Sequence, residues 1–189
     1  MMRPGFHDPV PEAQGCFRAM LDAMSRPGRV HTLDVALDAP PPLAPATAAV
    51  LLTLADAETS LHLMPDGAAA GDWVRFHCGS APASLPEASF VLSLGIHPPL
   101  SALRQGSEEA PEQGATLICQ VRSLTEGEGW RLAGPGIRDF HHLRVEGLAA
   151  DFLQQWAAQR PAFPRGVDII LCAGRQLAAL PRTVTIEEG

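Results

Sequence analysis

The sequence predicts an α/β protein, a single domain over residues 1–189 built as a three-layer α/β/α sandwich around a mixed sheet. Three observations carry this reading. Two amphipathic helical segments lie near the two ends of the chain, at 5–29 and 148–160. A continuous apolar run at 167–173 (VDIILCA) has the pattern of a strand buried on both faces. Between them, short strand-like and helix-like segments intermix instead of segregating. A chain of 189 residues is one domain's length and buries about 70% of its unfolded surface without staples.

The first helix is the most clearly marked element. Asp8 is a good N-cap residue, Pro9 suits the first helical position, and Pro11 is early enough to cost no helical bond. Pro27 and Gly28 stop it. Val10, Ala13, Phe17, Met20, Leu21 and Met24 recur at helical spacing, and that stripe is expected to pack on the core. Gln14, Arg18, Asp22 and Ser25 fall largely on the other side.

Residues 29–37 read as extended, and 40–45 (PPPLAP) as a stiff connector. Segment 46–55 (ATAAVLLTLA) is apolar nearly all round and reads as a buried helix. A short strand follows at 61–64, then a turn over 66–71. The alternation in 73–78 (WVRFHC) reads as a strand. After a loop over 79–86, 89–94 (SFVLSL) is another strand and 98–105 a short helix. Beyond the acidic loop 106–114, residues 115–124 (ATLICQVRSL) form the best strand pattern in the chain. Residues 125–129 turn it back into 130–133 as a hairpin. Gly134-Pro135-Gly136 is a tight turn, with glycines free to take positive φ around a fixed proline. Residues 142–145 suggest one more strand. The second helix presents Leu148, Phe152 and Trp156 on one face and ends at 161–166 (PAFPRG). Residues 178–186 hold a final strand pair or a bent strand.

Composition narrows the function. A net charge of -7 disfavours a general nucleic-acid binder or an anionic membrane surface. No run of eighteen apolar residues occurs, and the amino-terminal MMRPGFHDP lacks a signal-peptide core, so the expected location is cytoplasmic. Cys16, Cys78, Cys119 and Cys172 are far apart and form no Cys-x-x-Cys pair. Buried reduced thiols suit the apolar settings of three of them, and disulfides remain open at this level. All 14 basic residues are Arg and Tyr is absent. Without Lys, no side chain can form a Schiff base with pyridoxal phosphate, and the lysines of P-loops and kinases are missing too.

No strong catalytic or metal motif emerges. His141-His142 has no carboxylate at zincin spacing, and Gly79-Ser80 lacks the second glycine of a nucleophile elbow. No cofactor, catalytic residue or metal site is therefore expected. Gly134 and Gly136 resemble part of a phosphate-binding turn but lack its third glycine and a following helix, which favours a structural turn. Arg26, Arg138, Arg165 and Arg182 flank Gly or Pro turns, where guanidinium groups could grip an oxyanion or simply be solvated.

Eight pieces taken together resemble the PhnH family of the bacterial carbon–phosphorus lyase system. They are GF-x-DPV-xx-AQ-xx-FR at 5–18, DAMSRPG at 22–28, LLTLAD at 51–56 and RFH at 75–77. Then come PE-x-GATLI at 111–118, L-x-GPGI at 132–137, FP-x-G-x-D-x-IL at 163–171 and LPRT at 180–183. Each is weak alone; in order and along nearly the whole chain, the set is specific. Segments 65–72 and 125–129 carry little resemblance, and Val184 stands where the last motif would have a second Thr.

The resemblance implies a reduced large domain of pyridoxal-phosphate-dependent transferases, without the cofactor. It implies a homodimer that joins the PhnG, PhnI and PhnJ subunits. It implies a part in forming α-D-ribose 1-methylphosphonate 5-triphosphate, where PhnI with PhnG, PhnH and PhnL displaces adenine from ATP by a phosphonate. Carbon–phosphorus cleavage would belong to PhnJ. The expected role is thus an accessory subunit, not catalytic alone. The alternatives are a subunit that binds phosphonate or nucleotide directly and a generic homodimeric interaction module. Arg18, Arg26, Gly134, Gly136, Arg138 and Arg182 are the candidate ligand-binding residues.

Overall fold

A computed structural model describes residues 2–189. Its helices are α1 (Pro9–Ser25), α2 (Pro45–Leu54), α3 (Gly71–Cys78) and α4 (Phe152–Gln159). Its strands are β1 (His31–Thr32), β2 (Ser60–Leu63), β3 (Ala81–Pro82), β4 (Phe90–Ser93), β5 (Thr116–Gln120), β6 (Ser123–Ala133), β7 (His141–Glu146), β8 (Asp168–Ala173), β9 (Gln176–Leu180) and β10 (Thr185–Glu187). Seven strands form a mixed sheet in the order β1-β9-β8-β5-β4-β2-β3. From β8 to β3 the pairs are parallel; β9 and β1 add to the β8 edge antiparallel. The remaining three strands make an antiparallel sheet, β10-β6-β7.

Both faces of the large sheet are buried, as the continuous apolar runs require. Side chains alternate with period two. Leu92, Ile118, Ile170, Cys172, Leu177 and Ala179 point into a core shared with α1, α2 and α3. Val91, Leu117, Cys119, Ile169, Leu171, Ala178 and Leu180 point into a second core. That second core is closed by Leu124, Leu132 and Leu143 of the small sheet and by Phe152 and Trp156 of α4. The third layer is therefore part sheet and part helix. An eight-residue helix is about 12 Å long and cannot cover the face of this sheet alone.

The expected mixed sheet is present, and α1, α2, α4, β2, β4, β7 and β8 lie close to their sequence positions. Four expectations are corrected. Residues 73–78 are helical, not extended. Trp73 and Val74 are neighbours and both buried, which a strand with one solvated face cannot arrange, and Gly79 ends the helix in the left-handed region at φ 68°. The long strand pattern at 115–124 is two strands in two sheets, because the chain leaves the large sheet after Gln120 and enters the small one at Ser123. The hairpin at 125–133 does not form. Those residues continue β6, with a register shift between Glu126 and Trp130, and β6 pairs instead with β7 and β10.

The fourth correction concerns α1. Its buried residues are Cys16, Met20 and Ala23. Of the expected stripe, Val10 is 78% exposed, Phe17 45% and Leu21 55%. At 100° per residue these three and Met24 lie within about 60° of one another, roughly 100° round from the face the core covers. The helix carries an apolar arc wider than this chain alone buries.

Candidate functional site

The Gly134–Gly136 turn is the structural junction of the candidate residues. It closes with the Ile137 N–H donating to the Gly134 carbonyl at 3.1 Å. Gly136, at φ 82°, lies against α1, where an added Cβ would overlap the Ser25 carbonyl oxygen. Gly28, at φ 84°, lies against the small sheet, and a Cβ there would come within 2.9 Å of His141 and Leu132 side-chain carbons. Its N–H donates to the Ala179 carbonyl at 3.2 Å, which ties the helix exit to β9. Two turns far apart in sequence are thus fixed against each other, at glycines whose positive φ and close neighbours disfavour any larger residue.

The junction creates a cleft of about 150 Å³ on one side of the turn. Arg26, Arg29, Gly136, Arg138, Asp139 and Phe140 are among its lining residues. Arg26 forms an ion pair with Asp22 one turn back, at 2.9 Å, and stays more than half exposed. Among the described residues, the Arg29 and Arg138 guanidinium groups make no hydrogen bond or ion pair. His141 also lines the cleft, with its Nε2 3.4 Å from Glu126 Oε2 but outside hydrogen-bond geometry. The nearest comparable contact is His31 Nε2, 3.3 Å from Asp22 Oδ2 and likewise misaligned. Phe140 is half exposed, and the Arg131 guanidinium stands 5.0 Å from its ring centroid.

The other side of the same turn is different. Pro135, Arg160, Phe163, Arg182 and Thr183 line a hollow of about 300 Å³, and its Arg182 is ion-paired to Asp168. Arg182 donates from Nη2 to Asp168 Oδ2 at 2.5 Å, from its backbone N–H to Oδ1 at 2.7 Å, and from Nη1 to the Pro111 carbonyl at 2.8 Å. The pair is only 11% and 22% exposed. Arg160 bonds Thr185. Arg182 therefore ties segments 111, 164 and 168 together from inside. A third hollow, of about 290 Å³, is lined by Gln105, Gln155 and Gln159 and holds no charged side chain.

Of the six candidates, Arg26, Gly136 and Arg138 meet at the cleft, and Gly134 supports it from the turn. Arg182 lies on the opposite side. Arg18 is exposed on α1 two helical turns before Arg26, about 12 Å along the axis. Sequence reasoning missed Arg29, three residues beyond Arg26. The available signal was the RPGR string, which puts two arginines on either side of one turn.

The four cysteines are all buried and free. Burial pushes the Cys78 thiol up to about 11 and the Cys119 thiol up to about 12, with Cys16 and Cys172 moved the same way. None is a ready nucleophile at neutral pH. No helix among the described residues is long and apolar enough to cross a membrane.

Comparison with known proteins agrees with the pattern of motifs. The family model described as bacterial phosphonate metabolism protein (PhnH) matches residues 4–187. A protein of Rhizobium meliloti (strain 1021), named alpha-D-ribose 1-methylphosphonate 5-triphosphate synthase subunit PhnH, is 36% identical over 187 residues. The match covers 96% of this chain and 94% of that protein. HtxG of Stutzerimonas stutzeri, named as a C-P lyase subunit protein, is 38% identical over 177 residues, covering 94% of this chain and 87% of its own length.

Proposed function

The chain belongs to the PhnH family of bacterial phosphonate metabolism proteins, and from that premise we propose that it is an accessory subunit of a carbon–phosphorus lyase system. In this reading it is needed for forming α-D-ribose 1-methylphosphonate 5-triphosphate from ATP and a phosphonate, and it is not catalytic alone. The observation that carries the proposal is the end-to-end match to a relative named as a subunit of that synthase. The inert, buried thiols and the internal commitment of Arg182 agree with a chain that lacks its own reactive centre.

The partners follow from the same reading: PhnG, PhnI and PhnJ, and a second copy of this chain. The bare apolar side of α1 (Val10, Phe17, Leu21) supports the homodimer, since it offers a surface that a second α1 would cover. A likeness to the large domain of pyridoxal-phosphate transferases, without the cofactor, is part of the proposal; the absence of Lys supports its cofactor-free half. A cytoplasmic location also belongs to it. The test is reconstitution: the other subunits with and without this chain, supplied with ATP and methylphosphonate. Product should require the chain, and the chain alone should consume neither substrate.

A second reading, direct binding of a phosphonate or nucleotide, is favoured by one observation, the cleft beside the Gly134–Gly136 turn with its two unpaired arginines.

A further inference from the structure

We propose that the cleft between the α1 exit and the Gly134–Gly136 turn is an oxyanion site, taking the phosphoryl or phosphonyl end of a ligand between Arg29 and Arg138. The inference deepens the subunit reading and rests on it for the kind of ligand.

Charge is the first argument. The chain carries 21 acidic and 14 basic residues, yet three arginines converge on one small concavity. Two have no counter-ion among the described residues. Like charges held close repel unless an anion lies between them, and planar guanidinium groups match the oxygen spacing of phosphate and phosphonate. Asp139 also lines the cleft and opposes an anion, and Asp22 neutralises part of Arg26. Among the lining charges, Asp139 and the Asp22 partner of Arg26 counted fully leave +1 from Arg26, Arg29 and Arg138; Glu126 stands behind His141, its Oε1 accepting the Val30 N–H.

Rigidity is the second argument. The arginines sit on the two turns that Gly28 and Gly136 press together, so their backbones are fixed relative to each other. A site set on a fixed frame loses less conformational freedom on binding than one on mobile loops. The contrast across the turn is the third argument. Arg182 faces similar space but its charge is spent on Asp168, and Arg160 beside it bonds Thr185. On the Arg29–Arg138 side two guanidinium groups have no partner at all among the described residues. At about 150 Å³ the cleft suits an oxyanion end and not a whole nucleotide; the remainder would lie outward, past Phe140.

Calorimetric titration of the isolated chain with inorganic tripolyphosphate and with methylphosphonate tests this. At least one should bind saturably and weaken as salt is raised. The R29A/R138A double variant should lose tenfold or more in affinity with an unchanged unfolding midpoint, while R165A, on an exposed loop outside the cleft, should bind like the native chain. Tripolyphosphate binding alone would assign the phosphoryl source, and methylphosphonate binding alone the phosphonyl source. Binding of neither, or equal binding by R29A/R138A, would overturn the site. Co-purification with the other subunits is scored separately. If it survives while binding is absent, only the cleft falls; if the native chain fails to co-purify, the subunit reading falls.

Discussion

Gly136 packs so closely on Ser25 that the Ser25 carbonyl oxygen occupies the space a Cβ would need. This one approach joins the first helix to a turn more than a hundred residues later and sets the frame of the basic cleft. At φ 82° Gly136 also has a backbone conformation that other residues rarely adopt.

Replacing Gly136 with Ala should therefore cost stability twice, through strained backbone and through displacement of α1. A loss of about 2–4 kcal/mol is expected. Urea unfolding of G136A against the native chain measures it. G127A makes the control, because Gly127 also has positive φ but nothing lies within 4 Å of its added Cβ.

The Asp168–Arg182 pair should behave as an internal brace. D168A leaves a mostly buried guanidinium with only carbonyl partners, at a cost of about 3 kcal/mol. R182K keeps the charge but loses the fork that reaches Asp168 and Pro111 together, and should recover only part of that. Denaturant midpoints of the two variants give the ranking.

Alkaline pH should unfold this protein through its cysteines. With no Lys and no Tyr, these four are the only side chains that titrate between roughly pH 8 and 12. Their folded pKa values lie above the ordinary 9.0, so the unfolded chain releases protons first. Stability is then full below about pH 8 and falls as pH rises through the unfolded value toward about 11 to 12 for Cys78 and Cys119, with a limiting slope of about 1.4 kcal/mol per pH unit for each thiol. Thermal unfolding from pH 7 to 11 should show the decline, and C119A should make it shallower.

The exposed side of α1 should hold a second copy of the chain. F17E/L21E places carboxylates on that side without touching Cys16, Met20 or Ala23, which pack inward. Light scattering should report a dimer for the native chain and a folded monomer for the variant.

Much of the fold was legible in the sequence because the signals were long or doubly marked. The helix at 46–55 is apolar on nearly every side, and Ala46 to Leu51 are all buried. The first helix was framed by Asp8, Pro9, Pro27 and Gly28, and its bounds follow them. The misses have physical causes. Six residues, WVRFHC, are too few to separate a period of 2 from one of 3.6, and Gly79 serves a loop as well as a helix stop. No Gly or Pro marks the passage from β5 to β6, so a change of sheet looked like one strand. In α1, periodicity located an apolar face but could not say what covers it. At the site, Arg26 and Arg138 were visible beside their turns. Arg29 was not, because its importance depends on a contact between two distant glycine turns.

Whether the chain is a required subunit is decided by co-expressing it, tagged, with PhnG, PhnI and PhnJ and assaying the purified assembly, with PhnL added, for α-D-ribose 1-methylphosphonate 5-triphosphate. The chain should co-purify with the other subunits, and product should be lost when it alone is omitted. Full product formation without the chain, or a chain that purifies alone under the same conditions, would contradict the subunit role.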